Sequence, residues 1–171
     1  MSTFIIFGNL ETPFPRMVDA LLGTIDFFPT PIYIQAGGSA HLFPQNMLNV
    51  IIRKSFNHEE FETNLSQADV VITHGGIGSL SMCFSYSIHP GVFIRQKNLN
   101  EHIDDHQTDF YNYYSSFEIS DKLEEKSDLI KFLLGKKFKV LNVDTKFPFG
   151  DVISMRKKLW NKIDYLLNKP N

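Results

Sequence analysis

The sequence predicts an α/β fold with an open, mostly parallel sheet that carries helices on both faces. Short apolar runs rich in β-branched residues alternate along the chain with segments whose apolar residues recur every three or four positions. Glycine-rich or polar turns follow several of these runs, at the sheet edge where such folds bind ligands. With 171 residues, 43% of them hydrophobic, the chain is long enough for one domain with a buried core.

The first half of the chain alternates strands and helices. Its predicted strands are Thr3–Phe7, Ile32–Ile34, Val50–Ile52 and Val70–Ile72. An apolar stripe predicts a helix from Phe14 to Ile25, and we expect Thr12 to cap it and Pro13 to lie in its first turn. A second helix is predicted at His58–Gln67, because Asn57 and Glu60 form a capping-box pattern.

The second half begins with a helix from Ser79, which Pro90 ends, and a strand at Val92–Ile94. We expect further helices from Glu101, at Asp121–Leu134 and at Asp151–Asn168, and a short strand at Phe138–Leu141. The residues expected to face inward on the second of these helices are Leu123, Ile130, Leu133 and Leu134. The predicted organisation is one domain over residues 1–150, followed by an amphipathic helix over residues 151–171 that packs on the domain or on a partner.

Charge and cysteine content exclude several classes of protein. The net charge is −2 with both signs dispersed, which argues against nucleic acid as a partner. The single cysteine, Cys83, lies among apolar residues of a predicted helix, so we expect it to be a buried packing residue. No apolar run approaches the ~20 residues that cross a bilayer, and no signal segment is recognisable, so a cytoplasmic location is expected.

The turn after the fourth strand is the first indication of a ligand. Val70–Ile72 is typical of a strand buried on both faces, and a glycine-rich turn from His74 to Gly78 connects it to the helix at Ser79. Free backbone N–H groups at a helix N-terminus favour an anion, and glycines let the main chain approach it closely. We interpret this turn as the binding site of a nucleotide diphosphate.

Other interpretations of the same turn differ in how well its residues support them. Glycine-rich turns from strand to helix also occur for packing reasons alone, and this alternative stays open. A P-loop is excluded, because the turn lacks the lysine that contacts the β- and γ-phosphates. A dinucleotide fingerprint is incomplete, since Ser81 stands where a third glycine belongs and the turn lies mid-chain.

The densest set of polar side chains is Glu101-His102-Ile103-Asp104-Asp105-His106-Gln107. Because it follows the strand next to the glycine turn, we expect it to border the same crevice. On a helix, His102 and His106 would share one face, and Glu101 and Asp105 another. Glu101, His106 and Gln107 offer donors and acceptors for the hydroxyls of a sugar. The alternatives are a metal site, for which no third ligand is apparent, and acidic residues that merely cap the helix.

Four segments together resemble a family of glycosyltransferases. They are Phe7-Gly8 with Pro13-Phe14-Pro15-Arg16, Gln35 to Ser39, Ala68 to Ser79, and Asn100 to Gln107. From the first strand to Phe110, the chain is similar to small one-domain subunits of bacterial capsule and exopolysaccharide synthesis. These subunits resemble the soluble catalytic subunit of the dolichol-linked N-acetylglucosaminyltransferase. They also resemble the C-terminal half of the lipid-II-forming N-acetylglucosaminyltransferase, a two-domain enzyme of the GT-B fold.

The resemblance implies the donor half of a GT-B glycosyltransferase that extends a lipid-diphosphate-linked saccharide from a UDP-sugar, with no required cofactor or divalent metal. It implies donor contacts at His74, Gly75, Gly76, Gly78, Ser79, Asp105, His106 and Gln107. Glu101 and His106 are the catalytic candidates, and Gly8, Asn9 and Arg16 lie at the crevice mouth, where Arg16 would meet the lipid diphosphate. The acceptor half is then a membrane-anchored partner subunit, which holds the protein at the inner face of the membrane. The general base would come either from that partner or from the region Asn9–Arg16 at the crevice mouth.

Two positions depart from the family pattern. Relatives usually carry a glutamate that can hold the ribose hydroxyls three residues after the serine of the turn, and this chain has Met82. Either another group such as Ser81 replaces it, or ribose binding is weaker, or the protein is a non-catalytic scaffold subunit. Asn100 replaces a usual glycine, and asparagine tolerates the left-handed backbone. A nucleotide-cofactor oxidoreductase is a further alternative, which the incomplete fingerprint argues against.

Overall fold

The computed structural model describes residues 1–115 and 119–135, and this part of the chain alternates strands and helices. Its strands are β1 (Thr3–Ile6), β2 (Ile32–Gln35), β3 (Val50–Arg53), β4 (Val70–His74), β5 (Gly91–Phe93) and β6 (Asp121–Leu123). Its α-helices are α1 (Pro15–Leu22), α2 (His58–Gln67), α3 (Ile77–Ser85), α4 (His106–Ser115) and α5 (Lys126–Leu134). Short 3-10 helices lie at Ile25–Phe27, Gly37–Leu42 and Lys97–Leu99.

The described strands form one parallel sheet in the order β3-β2-β1-β4-β5-β6. In the centre, Ile5 of β1 pairs with Ile34 of β2 and with Ile72 of β4. The predicted parallel sheet is thus confirmed. The strand order reverses between β1 and β4, and sheets of this kind bind ligands beyond the carboxyl ends of the strands at that reversal.

Apolar layers cover both faces of the sheet, because successive side chains of a strand point to opposite faces. Ile5 lies in a buried cluster with residues of α1 and α5, whereas Phe4 lies in a second cluster with residues of α2, α3 and α4. Cys83 is fully buried in the second cluster, as predicted. Full burial of such side chains stabilises the fold by about 1.5–3 kcal/mol each, so the sheet is held from both sides.

The capping box of α2 is confirmed. Asn57 Oδ1 accepts the N–H of Glu60 at 2.9 Å, and Glu60 Oε2 accepts the N–H of Asn57 at 3.2 Å. Both bonds satisfy N–H groups that a helix leaves unpaired at its start. The local sequence therefore fixes where α2 begins, after the short loop that follows β3.

Helix α1 begins later than predicted. Its first residue is Pro15, it is preceded by Phe14, and no side chain caps it within the described residues. Thr12 and Pro13 belong to the loop before the helix, where their carbonyl oxygens accept hydrogen bonds from Arg95 at 2.9 and 3.4 Å. The prediction that Thr12 caps this helix was wrong because Arg95, a residue distant in sequence, holds the loop in another conformation.

An edge strand replaces the first turn of a predicted helix. Asp121 to Leu123 pair with β5 as strand β6, and α5 begins only at Lys126. Three residues are too few to show a period, so pairing with β5 decides their conformation. Leu123 is buried as predicted, but Leu134 is 71% exposed and does not face inward.

Three predictions lie outside the described residues: the strand at Phe138–Leu141, the helix at Asp151–Asn168 and the domain boundary at residue 150. Among the helices of residues 1–115 and 119–135, none combines the length and the apolar character needed to cross a membrane.

Candidate functional site

A cleft of about 370 Å³ opens at the carboxyl ends of β1, β2 and β4. Its lining consists of Gly8, Asn9, Gln35, Phe56, His58, Phe61, His74, Gly76, Gly78, Ser79 and Met82. The cleft therefore lies at the reversal of strand order, and its volume is typical of small-molecule sites. The structure brings His74, Gly76, Gly78 and Ser79 of the predicted donor site together here with Gly8 and Asn9 of the predicted crevice mouth.

Helix α3 has its N-terminus at the cleft. The helix begins at Ile77, two residues earlier than predicted, with Gly76 as its N-cap, and no side chain from the described residues caps it. The first N–H groups of a helix have no partner within it, and the helix dipole adds partial positive charge there. A Cβ at Gly78 would meet nothing within 4 Å, so the space at this turn is open. Phosphate is the type of ligand that such a helix start favours.

The ring of His74 packs beneath the glycine turn. A Cβ on Gly8 would lie 2.6 Å from His74 Nε2, and a Cβ on Gly76 would overlap the same atom, so only glycine fits at both positions. The ring is buried, and its Nδ1 has no hydrogen-bond partner in the described part of the chain. Burial, and then the charge of Arg95, lower the pKa of His74 to about 4. His74 is therefore neutral at pH 7 and shapes the turn without adding a positive charge.

Because folding disfavours the charged form of His74, the protein is expected to lose stability as the pH falls. The ordinary pKa of this group is 6.5, so between pH 6.5 and about 4 the unfolded state binds more protons than the folded state. The free energy of unfolding then falls by about 2 kcal/mol from pH 7 to pH 5, measured by urea unfolding. His74→Asn should remove this loss, whereas His41→Asn, at an exposed histidine outside the cleft, should keep it. An equal loss in His74→Asn would contradict the argument from burial.

The glycine-rich turn after β2 supports the loop that follows β1. The main chain of Glu11 lies so close that a Cβ on Gly38 would overlap its carbonyl group. The N–H of Gly38 donates to the Leu10 carbonyl at 2.9 Å, and Gln35 Nε2 donates to Asn9 Oδ1 at 3.2 Å. This turn is therefore packed by protein and fixes one wall of the cleft.

The polar segment after β5 is not helical where a helix was predicted. Helix α4 begins at His106, and the residues from Glu101 up to it form bends. His102 and His106 therefore do not share a helix face, and Glu101 does not cap a helix. The physical reason is local: Asn100 adopts a left-handed backbone at φ 56°, and Asp104 Oδ1 accepts the His106 N–H at 3.2 Å, which starts the helix there.

Asp104 holds both histidines of the segment. Its Oδ1 lies 3.0 Å from His102 Nδ1, and its Oδ2 lies 2.9 Å from His106 Nδ1. Burial alone would raise the pKa of Asp104, but hydrogen bonds from His106 and the charges of the two imidazoles lower it below the ordinary value. His106 is 43% exposed, and its Nδ1 contact leaves Nε2 for a ligand. Within the described residues, no three His, Cys, Asp or Glu side chains are arranged to hold a metal ion.

Glu101 and Arg16 form an ion pair that is nearly buried. Arg16 Nη2 donates to Glu101 Oε2 at 2.8 Å, and Arg16 Nε donates to Oε1 at 3.1 Å. The same carboxylate accepts the N–H of Gln96 at 3.0 Å, and the Glu101 side chain is 4% exposed. Arg16 also donates to the carbonyl groups of Ile94 and Glu124. Both charged groups thus contact protein and fasten the loop after β5 to α1.

Gln107 links the polar segment to the glycine turn. Its Oε1 accepts the N–H of Arg95 at 3.2 Å and lies 3.2 Å from where a Cβ of Gly75 would be. Gln107 therefore packs on the β5 side of the turn, whereas the cleft lies on the β1 and β2 side. Asp105 is exposed, and its Oδ1 accepts the N–H of Lys97 at 3.4 Å, within its own loop. The two predicted clusters are neighbours that meet at Gly75.

The fold has counterparts among solved structures. ALG13 matches 92% of this chain over 94% of its own, with a TM-score of 0.58 and 18% identity. The glycosyltransferase SnogD from Streptomyces nogalater matches 95% of this chain over 43% of its own, with a TM-score of 0.59 and 15% identity. The glycosyltransferase of kitacinnamycin matches 95% of this chain over 38% of its own, with a TM-score of 0.58 and 14% identity. The chain thus has the Rossmann-like fold that these glycosyltransferase structures share.

The match spans less than half the length of SnogD and of the kitacinnamycin enzyme, but nearly the whole of ALG13. No protein-family model matches the chain, and no curated protein gives a significant sequence match. At these identities the likeness concerns the fold, and function depends on the residues of the site.

Several residues around the site are not among the candidates that the sequence motifs indicate. Phe56 and Phe61 line the cleft, and their position after β3 is the signal that could have indicated them. Gln35, the last residue of β2, lines the cleft as well and opens the segment from Gln35 to Ser39 that carries part of the resemblance. Asp104 stands two residues before a helix, where an aspartate commonly makes a local turn. Arg95 gives no local indication, since its partners are distant in sequence.

Proposed function

We propose that this protein is the donor-binding and catalytic subunit of a UDP-sugar glycosyltransferase that extends a lipid-diphosphate-linked saccharide in capsule or exopolysaccharide synthesis. One observation carries the proposal: the N-terminus of α3, which no side chain of the described residues caps, has the cleft on one side and Gln107 on the other. A pyrophosphate bound at this turn would join a nucleoside in the cleft to a sugar beside Gln107.

The main chain at the start of α3 would hold the diphosphate. Its N–H groups at Ile77, Gly78 and Ser79 combine with the helix dipole to stabilise negative charge. The same charge grows on the UDP leaving group as the sugar is transferred, so these fixed dipoles would stabilise the transition state. In this scheme the protein supplies the positive potential, and the reaction requires neither a divalent metal nor a cofactor.

The aromatic wall of the cleft is suited to a nucleobase. Phe56 and Phe61 pack edge-on against Phe4, with ring centroids 5.8 and 5.1 Å away, so both rings are held in place. Asn9 and Gln35 add polar groups at the strand ends. Met82 lines the same cleft, so the ribose would lack the carboxylate that related enzymes usually provide there. We therefore expect UDP to bind mainly through base and diphosphate.

His106 and Gln107 would orient the transferred sugar. The Oε1 of Gln107 already accepts the Arg95 N–H, which leaves its amide N–H groups to donate to sugar hydroxyls. Asp104 holds His106 through Nδ1, so Nε2 is the ring nitrogen that would contact the donor. The burial of Glu101 and its pairing with Arg16 make it a residue that holds the loop in this scheme rather than one that contacts the reacting atoms.

The acceptor and the general base would come from a membrane-anchored partner subunit at the cytoplasmic face. The match to less than half of SnogD is the extent expected of one half of a two-domain transferase, and the match to nearly the whole of ALG13 supports a domain of this size. Exposed apolar side chains at Leu10, Leu99 and Ile103 lie on the loops after β1 and β5, at the carboxyl-end edge of the sheet, where an acceptor-binding half would face them.

Met82 favours one alternative, in which the chain binds the partner as a non-catalytic scaffold. Titration calorimetry with UDP, a panel of UDP-sugars and NAD separates the candidates. The proposal expects UDP and at least one UDP-sugar to bind in the micromolar range, on the order of −8 kcal/mol, and NAD not to bind. A scaffold would bind none of them, and tight NAD binding without UDP binding would support an oxidoreductase and overturn the proposal.

His106→Ala should weaken UDP-sugar binding about tenfold and change UDP binding less than about twofold, because it removes a hydrogen bond to the sugar. Gln107→Ala should act in the same direction. His41→Ala, at an exposed histidine away from the cleft, is the matched control and should change neither affinity. Equal losses of UDP and UDP-sugar binding in His106→Ala would contradict its role at the sugar.

A further inference from the structure

The guanidinium group of Arg95 is fully buried between two loops. Its Nη1 donates to the carbonyl groups of Thr12 at 2.9 Å and Glu101 at 3.1 Å, and its Nη2 donates to that of Phe7 at 3.3 Å. The group also lies over the ring of Phe14, with Cζ 4.6 Å from the ring centroid. Since a guanidinium carries its donors in a rigid fork, one side chain ties the end of β1 and the loop after it to the loop after β5.

The main chain of Arg95 reaches the glycine turn. Its N–H donates to Gln107 Oε1, and Gln107 packs against Gly75. Burial lowers the pKa of Arg95 to about 10, and the charge of Glu101 opposes this shift, so the group stays charged at neutral pH. The hydrogen bonds of the side chain are therefore charge-assisted, a class that is stronger than neutral hydrogen bonds.

We propose that Arg95 is a positioning residue that fixes the sugar-binding segment, with His106 and Gln107, against the glycine turn. This inference rests on the proposed function, and Arg95 itself contacts no substrate in it. The side chain of Arg95 acts on this segment through the Glu101 carbonyl, and its main chain acts through Gln107.

The two loops differ in how much they depend on Arg95. The loop after β1 has further anchors on the β2 side, namely the bond of Asn9 to Gln35 and the bond of Leu10 to Gly38. Those anchors hold the part of the loop that lines the nucleoside cleft. The loop after β5 is fastened by Arg95 and by the ion pair of Glu101 with Arg16. Weakening Arg95 should therefore loosen the sugar side more than the nucleoside side.

Amide hydrogen exchange of the ligand-free protein tests this arrangement without any substrate. Arg95→Lys keeps the charge but cannot reproduce the fork of donors. In this variant the amides of residues 96–107 should exchange about tenfold faster, while those of α2 and β4 stay as in the wild type. Leu129→Ala is the control for lost stability, because it opens the core beneath α5 and removes none of the side-chain hydrogen bonds that hold the two loops. Unchanged exchange over residues 96–107 in Arg95→Lys would overturn the inference.

Calorimetry then tests the consequence for binding. In Arg95→Lys, UDP-sugar affinity should fall about tenfold while UDP affinity changes less than about twofold, and Leu129→Ala should change neither. Equal losses for both ligands would overturn the positioning role and leave the proposed function standing. A wild-type protein that binds neither ligand would overturn the proposed function together with this inference, even if the exchange result holds.

Phe14→Leu provides a second variant in case Arg95→Lys does not fold. It removes the ring beneath the guanidinium but keeps an apolar side chain in the core. The hydrogen bonds of Arg95 can then persist, while its guanidinium group is held less tightly. Phe14→Leu should cause faster exchange over residues 96–107 and a selective loss of UDP-sugar binding. Both effects should be smaller than in Arg95→Lys, and this result would support the inference. Exchange and affinities equal to those of Leu129→Ala would overturn it.

Discussion

Replacing Gly78 by leucine is expected to weaken UDP binding about 100-fold or more while the protein stays folded. A Cβ at this position meets no neighbour within 4 Å, so the larger side chain is accommodated at the start of α3. It would, however, extend into the space beside Ser79, where the diphosphate is proposed to lie. Leucine also has a higher helix propensity than glycine, which favours the folded helix. The free energy of unfolding should therefore change by no more than about 1 kcal/mol.

Gly76→Ala is the informative contrast to Gly78→Leu. There the added methyl group would overlap the buried ring of His74, so this variant should lose stability as well as UDP binding. Gly78→Ala should give a smaller loss of UDP binding than Gly78→Leu. Urea unfolding and calorimetry of the same preparations separate the two effects. If Gly78→Leu binds UDP as tightly as the wild type, the diphosphate does not lie at this turn.

The parts of the fold that follow from the sequence are those that local physics decides. The β-branched run at Val70–Ile72 is buried on both faces, and Asn57 with Glu60 places the start of α2. Glycines and polar residues after the strands indicate the carboxyl edge of the sheet, where the structure has its cleft. The fold class and one side of the candidate site were predictable for this reason.

The predictions for β6 and for the start of α4 were wrong. These elements depend on contacts between residues distant in sequence, or on side chains whose hydrogen bonds to the main chain compete with helix formation. Asp121 to Leu123 become a strand only because β5 offers an unpaired edge. Asn100 and Asp104 delay α4 through a left-handed residue and a local turn, although the residues between them are compatible with a helix. Helix periodicity alone cannot indicate either outcome.

The roles of the charged residues are the least predictable from sequence. Arg16 and Glu101 look like ligand-binding groups in the sequence, yet the folded chain pairs them with each other. Arg95, which sequence patterns do not indicate, is buried and connects two loops. An exposed charge and a buried one have the same sequence signature, and only the positions of distant carbonyl groups and carboxylates distinguish them.

Glu101→Ala is expected to lower the free energy of unfolding by about 3 kcal/mol, the largest stability loss predicted for a single polar group here. The substitution removes a carboxylate that is 4% exposed and leaves Arg16, which is 23% exposed, without its charged partner. It also leaves the N–H of Gln96 without its acceptor. Glu101→Gln keeps the shape and part of the hydrogen bonding, so it should lose only about 1–2 kcal/mol in urea unfolding.

A double-mutant cycle with Arg16→Met tests whether the pair itself carries this loss. Because either single change leaves a largely buried charge unpaired, the double variant should lose less than the sum of the singles, with a coupling energy of about 1–3 kcal/mol. The side-chain hydrogen bonds of Arg16 to the Ile94 and Glu124 carbonyl groups are lost in both backgrounds and cancel in the cycle. Additive losses would show that Glu101 is not stabilised by Arg16. In that case its carboxylate would again be a candidate for contact with the donor or the acceptor.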